Sequence, residues 1–181
     1  VPFVSSTYGN ANVAAYLPSY NGVVGVSGII PNANVTANIG SSTAWFNTIF
    51  GVSTQAKYAD LAEKYLPDTE YSVGTVVVIG GSKEITASSI GDRAIGAISE
   101  NPAYMMNSSL DGGVYVALKG RVPVKVVGKI RKGDRLVSAG NGLARAGARD
   151  EINAWNVIGR ALEDKLDSGE GTIEAVVKLN S

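Results

Sequence analysis

Residues 121–127 read Arg121-Val122-Pro123-Val124-Lys125-Val126-Val127, and Gly128 follows. Valines at 122, 124 and 126 alternate with Arg121, Pro123 and Lys125, the period of two that turns one face of a strand inward and the other to water. Pro123 has no N–H to give to a ladder, which places it at an edge or a bulge. Runs of the same kind lie on both sides. Upstream, Thr75–Ile79 precedes Gly80-Gly81, Ala94–Ile98 precedes Asn101-Pro102, and Val114–Leu118 follows Asp111-Gly112-Gly113. Downstream, Arg135–Ala139 leads into Gly140-Asn141-Gly142, while Val157–Ala161 and Thr172–Leu179 flank Ser168-Gly169-Glu170-Gly171. Short β-prone runs separated by strong turn signals predict a compact all-β barrel or sandwich over residues 70–181.

Charge divides the chain more sharply than any motif. Residues 1–56 contain no Asp, Glu, Lys or Arg, and the 16 basic and 16 acidic residues all lie from Lys57 onward. A solvated monomeric surface normally carries charge throughout, so an uncharged stretch rich in Asn, Ser, Gly, Val and Ala implies another environment. Disorder is the bland alternative, opposed by the interspersed Val, Ile, Phe, Tyr and Trp. Asn10-Ala11-Asn12-Val13 returns as Asn32-Ala33-Asn34-Val35, and short β-prone runs at Val23–Val26 and Gly28–Ile30 are broken by Asn21-Gly22 and Pro31-Asn32. Such small units lack a core of their own and are completed by neighbouring repeats or chains. Residues 1–52 therefore read as a β-rich fibre shaft segment.

Residues 53–69 connect the two parts. Tyr58, Leu61, Ala62 and Tyr65 fall at the i, i+3, i+4, i+7 spacing of a helix face, and Ser53 or Thr54 is available as a cap, which predicts a short helix. An extended connector with Ala59, Leu61 and Tyr65 turned inward is the competing reading; Pro67-Asp68 ends the segment in either case.

Composition narrows the chemistry. The chain of 181 residues contains no cysteine and no histidine, which removes disulfides, thiolate catalysis, the usual neutral-pH base and the commonest transition-metal ligands. Carboxylate, lysine, serine and tyrosine chemistry remain. No motif asks for a cofactor or metal, and the chain reads as a structural protein, not a metabolic enzyme. Balanced charge argues against a nucleic-acid partner, and no apolar run is long enough for a membrane helix. Val1-Pro2-Phe3-Val4 has neither an initiator methionine nor a signal pattern, which reads as a fragment or a processed product.

Several phrases, in order, carry a resemblance. Asn38-Ile-Gly-Ser-Ser-Thr-Ala-Trp-Phe-Asn-Thr-Ile-Phe50 is similar to the junction at which a phage tail-fibre shaft meets its C-terminal domain, and Tyr58-Ala-Asp-Leu-Ala-Glu63 follows. Gly80-Gly-Ser-Lys-Glu-Ile-Thr86, Asp92-Arg-Ala-Ile-Gly-Ala-Ile-Ser-Glu-Asn-Pro-Ala103, Gly120-Arg-Val-Pro-Val-Lys-Val126 and Lys132-Gly-Asp-Arg-Leu-Val137 resemble the C-terminal β-domain of phage tail-fibre and appendage proteins. That domain is in turn similar to the autocleaving intramolecular-chaperone domains of some tail appendages. The resemblance spans roughly residues 38–178. It implies a homotrimeric virion protein, a tail fibre or appendage, whose C-terminal domain registers three chains near the receptor-binding end. Its implied partners are other virion proteins and a host-surface glycan or receptor. A capsid decoration or head-fibre protein would share the architecture.

In the autocleaving relatives a chain cut depends on acidic residues, and the acidic residues nearest the junction are Asp60 and Glu63. On a helix, spacing three with Lys57 and Lys64 alongside reads more simply as a solvated face. Trp45, Phe46 and Phe50, with Tyr58 and Leu61, are the expected fillers of a three-chain core at the junction; a sugar platform built from the same rings is the alternative. Tyr104-Met105-Met106 reads as a core or interface plug.

Overall fold

The computed structural model describes residues 30, 31, 33, 34 and 36–178. The repeat at Asn10–Val13 and its partner copy, together with the β-prone run Val23–Val26, lie wholly or in part outside the described residues. The chain divides into two compact units, residues 1–52 and 53–181. In the first, the described part is a tight turn in which Ser41 and Ala44 exchange backbone hydrogen bonds at 3.0 and 3.3 Å.

The second unit is all-β, as its alternation predicts. Its ten strands are β1 (Asp60–Tyr65), β2 (Val76–Ile79), β3 (Ile85–Ala87), β4 (Gly96–Ile98), β5 (Tyr104–Met106), β6 (Val114–Val127), β7 (Arg135–Gly140), β8 (Leu143–Ala146), β9 (Gly159–Ala161) and β10 (Glu170–Lys178). β6, β8, β7, β9 and β10 pair in that order, and β10 returns to β6 along nine register pairs, which closes a five-stranded barrel. Closure removes the open edges that a sheet would otherwise expose. Val122, Val124 and Val126 of β6 point into the barrel with Leu136, Ala144, Ile158, Ile173, Ala175 and Val177. The other end of β6 carries β4, β2 and β3 on one side and β1 with β5 on the other. A second cluster there joins Val77, Ile85, Ile98, Val116 and Leu118.

β6 is the spine of the fold. The two runs read from sequence as separate strands are one strand of 14 residues. Gly120 lies between them at φ +113°, a conformation open to glycine, and bends the ladder without ending it. Pro123 sits where its missing N–H is harmless. On the edge of β6 away from β10, Arg121 N–H donates to Ala59 O and Lys125 N–H donates to Gly74 O, and no strand pairs with the stretch between them.

The helix predicted over 53–66 is not formed, and no helix occurs among the described residues. Residues 60–65 instead form β1, which is antiparallel to β6 and parallel to β5. Backbone partners on both sides outweigh a local helical pattern that no other element rewards. The inward residues are Asp60 and Ala62, while Ala59 and Leu61 are exposed and Tyr65 is half-buried, so the alternative inward set of Ala59, Leu61 and Tyr65 is not adopted either. Tyr104 and Met105, on β5, are also exposed and take no part in the core.

Candidate functional site

β1 begins where its pairing with β6 is least regular. Asp60 lies opposite Gly120 and Leu61 opposite Lys119, yet Ala62 lies opposite Ala117, so Leu118 is an extra residue on β6. Asp60 and Ala62, two positions apart on one face of β1, both point inward beside this bulge; bulges often lie next to functional sites. Two backbone hydrogen bonds fix the place. Arg121 N–H donates to Ala59 O at 3.3 Å, and Ala103 N–H donates to Asp60 O at 2.9 Å.

The Asp60 side chain is 5% exposed, and its Oδ2 has no hydrogen-bond partner. A buried polar oxygen left unsatisfied costs about 1–3 kcal/mol, which folds retain mainly where function needs it. Asp60 lines a cavity of about 310 Å³ together with Lys57, Ser99, Glu100, Arg121 and Glu174. Ser99 is buried, and its N–H is held by Tyr115 O at 2.8 Å. The segment leading into β1, Ser53 to Ala59, is exposed throughout and lies outside any strand. An exposed run of backbone therefore leads into a residue whose carboxyl carries a buried oxygen with a free lone pair. A carboxylate in such a place has the chemistry of a general base.

Glu63 does not share this place. Three positions along a strand put it on the opposite face from Asp60, and Glu63 Oε2 accepts a 3.0 Å hydrogen bond from the Tyr65 hydroxyl. Burial, then that bond, push the Tyr65 phenol up to about 12. The structure does not bring Asp60 and Glu63 together as a shared-proton pair, and the solvated helical face expected for them is replaced by one buried and one half-buried side chain. Near the same end of the sheet, Tyr71 Oη donates to Asp68 Oδ1 at 2.5 Å and holds the Asp68 carboxyl below its usual range.

The junction residues fall in both units. In the first, Trp45, Phe46 and Phe50 are 70%, 60% and 93% exposed, and Trp45 Nε1 donates to Ser42 O at 3.3 Å. In the second, Tyr58 and Leu61 are exposed, and the Lys57 ammonium lies 5.5 Å from the Tyr58 ring centre. All five are at least partly exposed, Phe50 most of all.

Sequence reasoning missed Ser99, Arg121 and Glu174 as neighbours of Asp60, because they come from three distant segments. A local signal for Asp60 itself was present: it stands two residues before Ala62, the spacing of one strand face.

The Peptidase_G2 model, described as the IMC autoproteolytic cleavage domain, matches residues 4–112. No curated protein matches the chain. Among the solved structures that share the fold are two of a phage protein. The bacteriophage phi29 gene product 12 C-terminal fragment is 16% identical with a TM-score of 0.51, covering 66% of this chain and 100% of that one. The pre-mature bacteriophage phi29 gene product 12 is 15% identical with a TM-score of 0.57, covering 72% of this chain but only 23% of the longer protein.

Proposed function

Because the chain belongs to the Peptidase_G2 family of IMC autoproteolytic cleavage domains, we propose that residues 53–181 cut the backbone of the chain that carries them, just before β1. The observation that carries this reading is the unpartnered Oδ2 of buried Asp60, at the end of an exposed stretch of backbone. The Asp60 carboxylate takes a proton from a water as its oxygen adds to a backbone carbonyl between Ser53 and Ala59. The C–N bond then breaks, and the proton passes to the departing amine. One water is consumed, a carboxylate and an amine are formed, and no metal or cofactor is required. Arg121, which lines the same cavity, is placed to offset negative charge that develops on the carbonyl oxygen.

Mass spectrometry of the freshly synthesised full chain tests this. Two products whose masses sum to the intact chain plus one water, with the first ending near residue 57, support it. An intact mass after prolonged incubation overturns it.

The wider role proposed is that of a phage virion appendage, a tail fibre, whose three chains are registered by this domain before the cut and which contributes to host attachment. The fold shared with parts of a phage gene product supports this reading, as does the occurrence of that gene product both in a pre-mature form and as a C-terminal fragment. The absence of charge from residues 1–56 and the exposure of Trp45, Phe46 and Phe50 support a three-chain shaft, since both need cover from other chains. Immunogold labelling of virions at the tail, and not at the capsid, is the expected result.

A further inference from the structure

Strand register gathers a basic face on the barrel wall. Arg135 of β7 pairs with Arg160 of β9, Arg160 pairs with Val176 of β10, and Val176 pairs with Arg121 of β6. Those four side chains form one row across four strands. In the adjoining row Lys178 pairs with Lys119. All five cations are exposed and surround Val176, itself 42% exposed. Directly opposed side chains in such ladders stand about 4.5–5.5 Å apart at Cβ, and like charges there destabilise a sheet.

Among the described residues nothing relieves the repulsion. Among the described residues the ion pairs are Arg145–Glu151 and Lys165–Asp167, so none of the five cations has a carboxylate in salt-bridge reach. The nearest acidic position on this face is Glu174, two residues along β10 and opposite Pro123. Arg160 spends one N–H on Gly133 O at 3.2 Å, which steadies its guanidinium.

The face is also concave. Arg135, Arg160 and Lys178 line a cavity of about 470 Å³ whose apolar wall is Val176 and Ile152 and whose rim is Asn153. The loop that forms the rim is tied by its own side chains: Arg145 donates to Glu151 Oε2 at 2.7 Å, and Asn153 Oδ1 accepts from the N–H groups of Trp155 and Asn156 at 2.9 and 3.1 Å.

We propose that this groove is a binding site for a small oxyanion-bearing ligand, with the phosphoryl or carboxylate group bridged by Arg135 and Arg160 and its less polar part against Val176. Paired guanidinium forks match the oxygens of such groups bidentately, whereas Lys178 adds a point charge. The inference rests on register and cavity alone and is independent of self-cleavage.

Calorimetry on the full chain tests it, with inorganic pyrophosphate and a trigalacturonate as phosphoryl and carboxylate probes. Saturable binding of either probe, weakened about tenfold or more by Arg160→Gln and by Arg135→Gln, supports the site and identifies which group it takes. Arg160→Lys keeps the charge and loses the fork, so it is expected to bind nearly as weakly as Arg160→Gln. Arg149→Gln, an exposed cation off this face, is expected to bind as the unaltered chain does, and thermal melts check that each variant is folded. No binding of either probe, or an equal loss in Arg149→Gln, overturns the proposal. So does sedimentation showing that the two arginine variants change the assembly state without ligand, since the face would then be a contact between copies.

Discussion

Asp60 and Gly120 face each other across the β1–β6 ladder, and a Cβ added at Gly120 would fall 2.1 Å from Ala59 O and 2.8 Å from the Asp60 Cα. No side chain fits there without moving the start of β1. Gly120→Ala is therefore expected to cost about 1–3 kcal/mol, read as a lower urea midpoint, because of overpacking and the positive φ. Self-cleavage should fall with it. Normal stability and normal cleavage together would show that β1 tolerates the shift.

Removing the carboxyl itself should act differently. Asp60→Ala takes away a buried oxygen that has no partner, so the melting temperature should hold or rise while cleavage stops. A marked loss of stability would mean that Asp60 makes a contact in the folded chain other than those described.

At the far end of the barrel, the buried Lys165 ammonium donates to Gly169 O at 2.5 Å, Asp167 Oδ1 at 2.7 Å and Asp167 O at 3.0 Å, and Gly128 O lies 3.4 Å away. It gathers the loop after β6 and the turn before β10. Lys165→Met keeps the aliphatic stem but strands these acceptors, with an expected loss of about 2–3 kcal/mol in chemical denaturation. A neutral result would show that water replaces the ammonium fully.

The rim loop should loosen in acid. Arg145 donates to both carboxylate oxygens of Glu151 and, with the Ala148 N–H, holds its pKa down to about 2 from 4.5. The folded value lies below the unfolded one, so the stabilisation is fully present above about 4.5 and is lost as pH falls towards about 2. Trp155 fluorescence in a Trp45→Phe background should report a transition in that window, absent in Glu151→Gln.

For the junction rings, Trp45→Ala in the assembled protein is expected to cost about 3–5 kcal/mol per chain if the rings pack between chains, seen as a sharp fall in melting temperature. An unchanged melt with reduced adsorption to host cells would assign Trp45 to a sugar platform instead.

The barrel was legible in the sequence because Val122, Val124 and Val126 alternate in the most plainly periodic run of the chain, and because glycine turns bound most of its strands. β1 was not. Tyr58, Leu61, Ala62 and Tyr65 match a helical face by spacing, yet the hydrogen bonds that decide their conformation come from residues 104–106 and 114–120. For the same reason Asp60 could be singled out by position but not by burial. The basic face is the extreme case: residues 119, 121, 135, 160 and 178 share no local pattern, and only the register of four strands places them together.

The nine-pair seam between β10 and β6 also sets an order of events in time. Gly120 has Asp60 on one side and Val177 on the other, so the ladder that seats the Asp60 carboxyl is complete only when the last strand of the barrel has docked. A ribosome delivers residue 60 long before residue 178. If Asp60 makes the proposed cut, a nascent chain carries its blade unsheathed but unmounted, and severing would wait until strand β10 has emerged, a delay timed by translation.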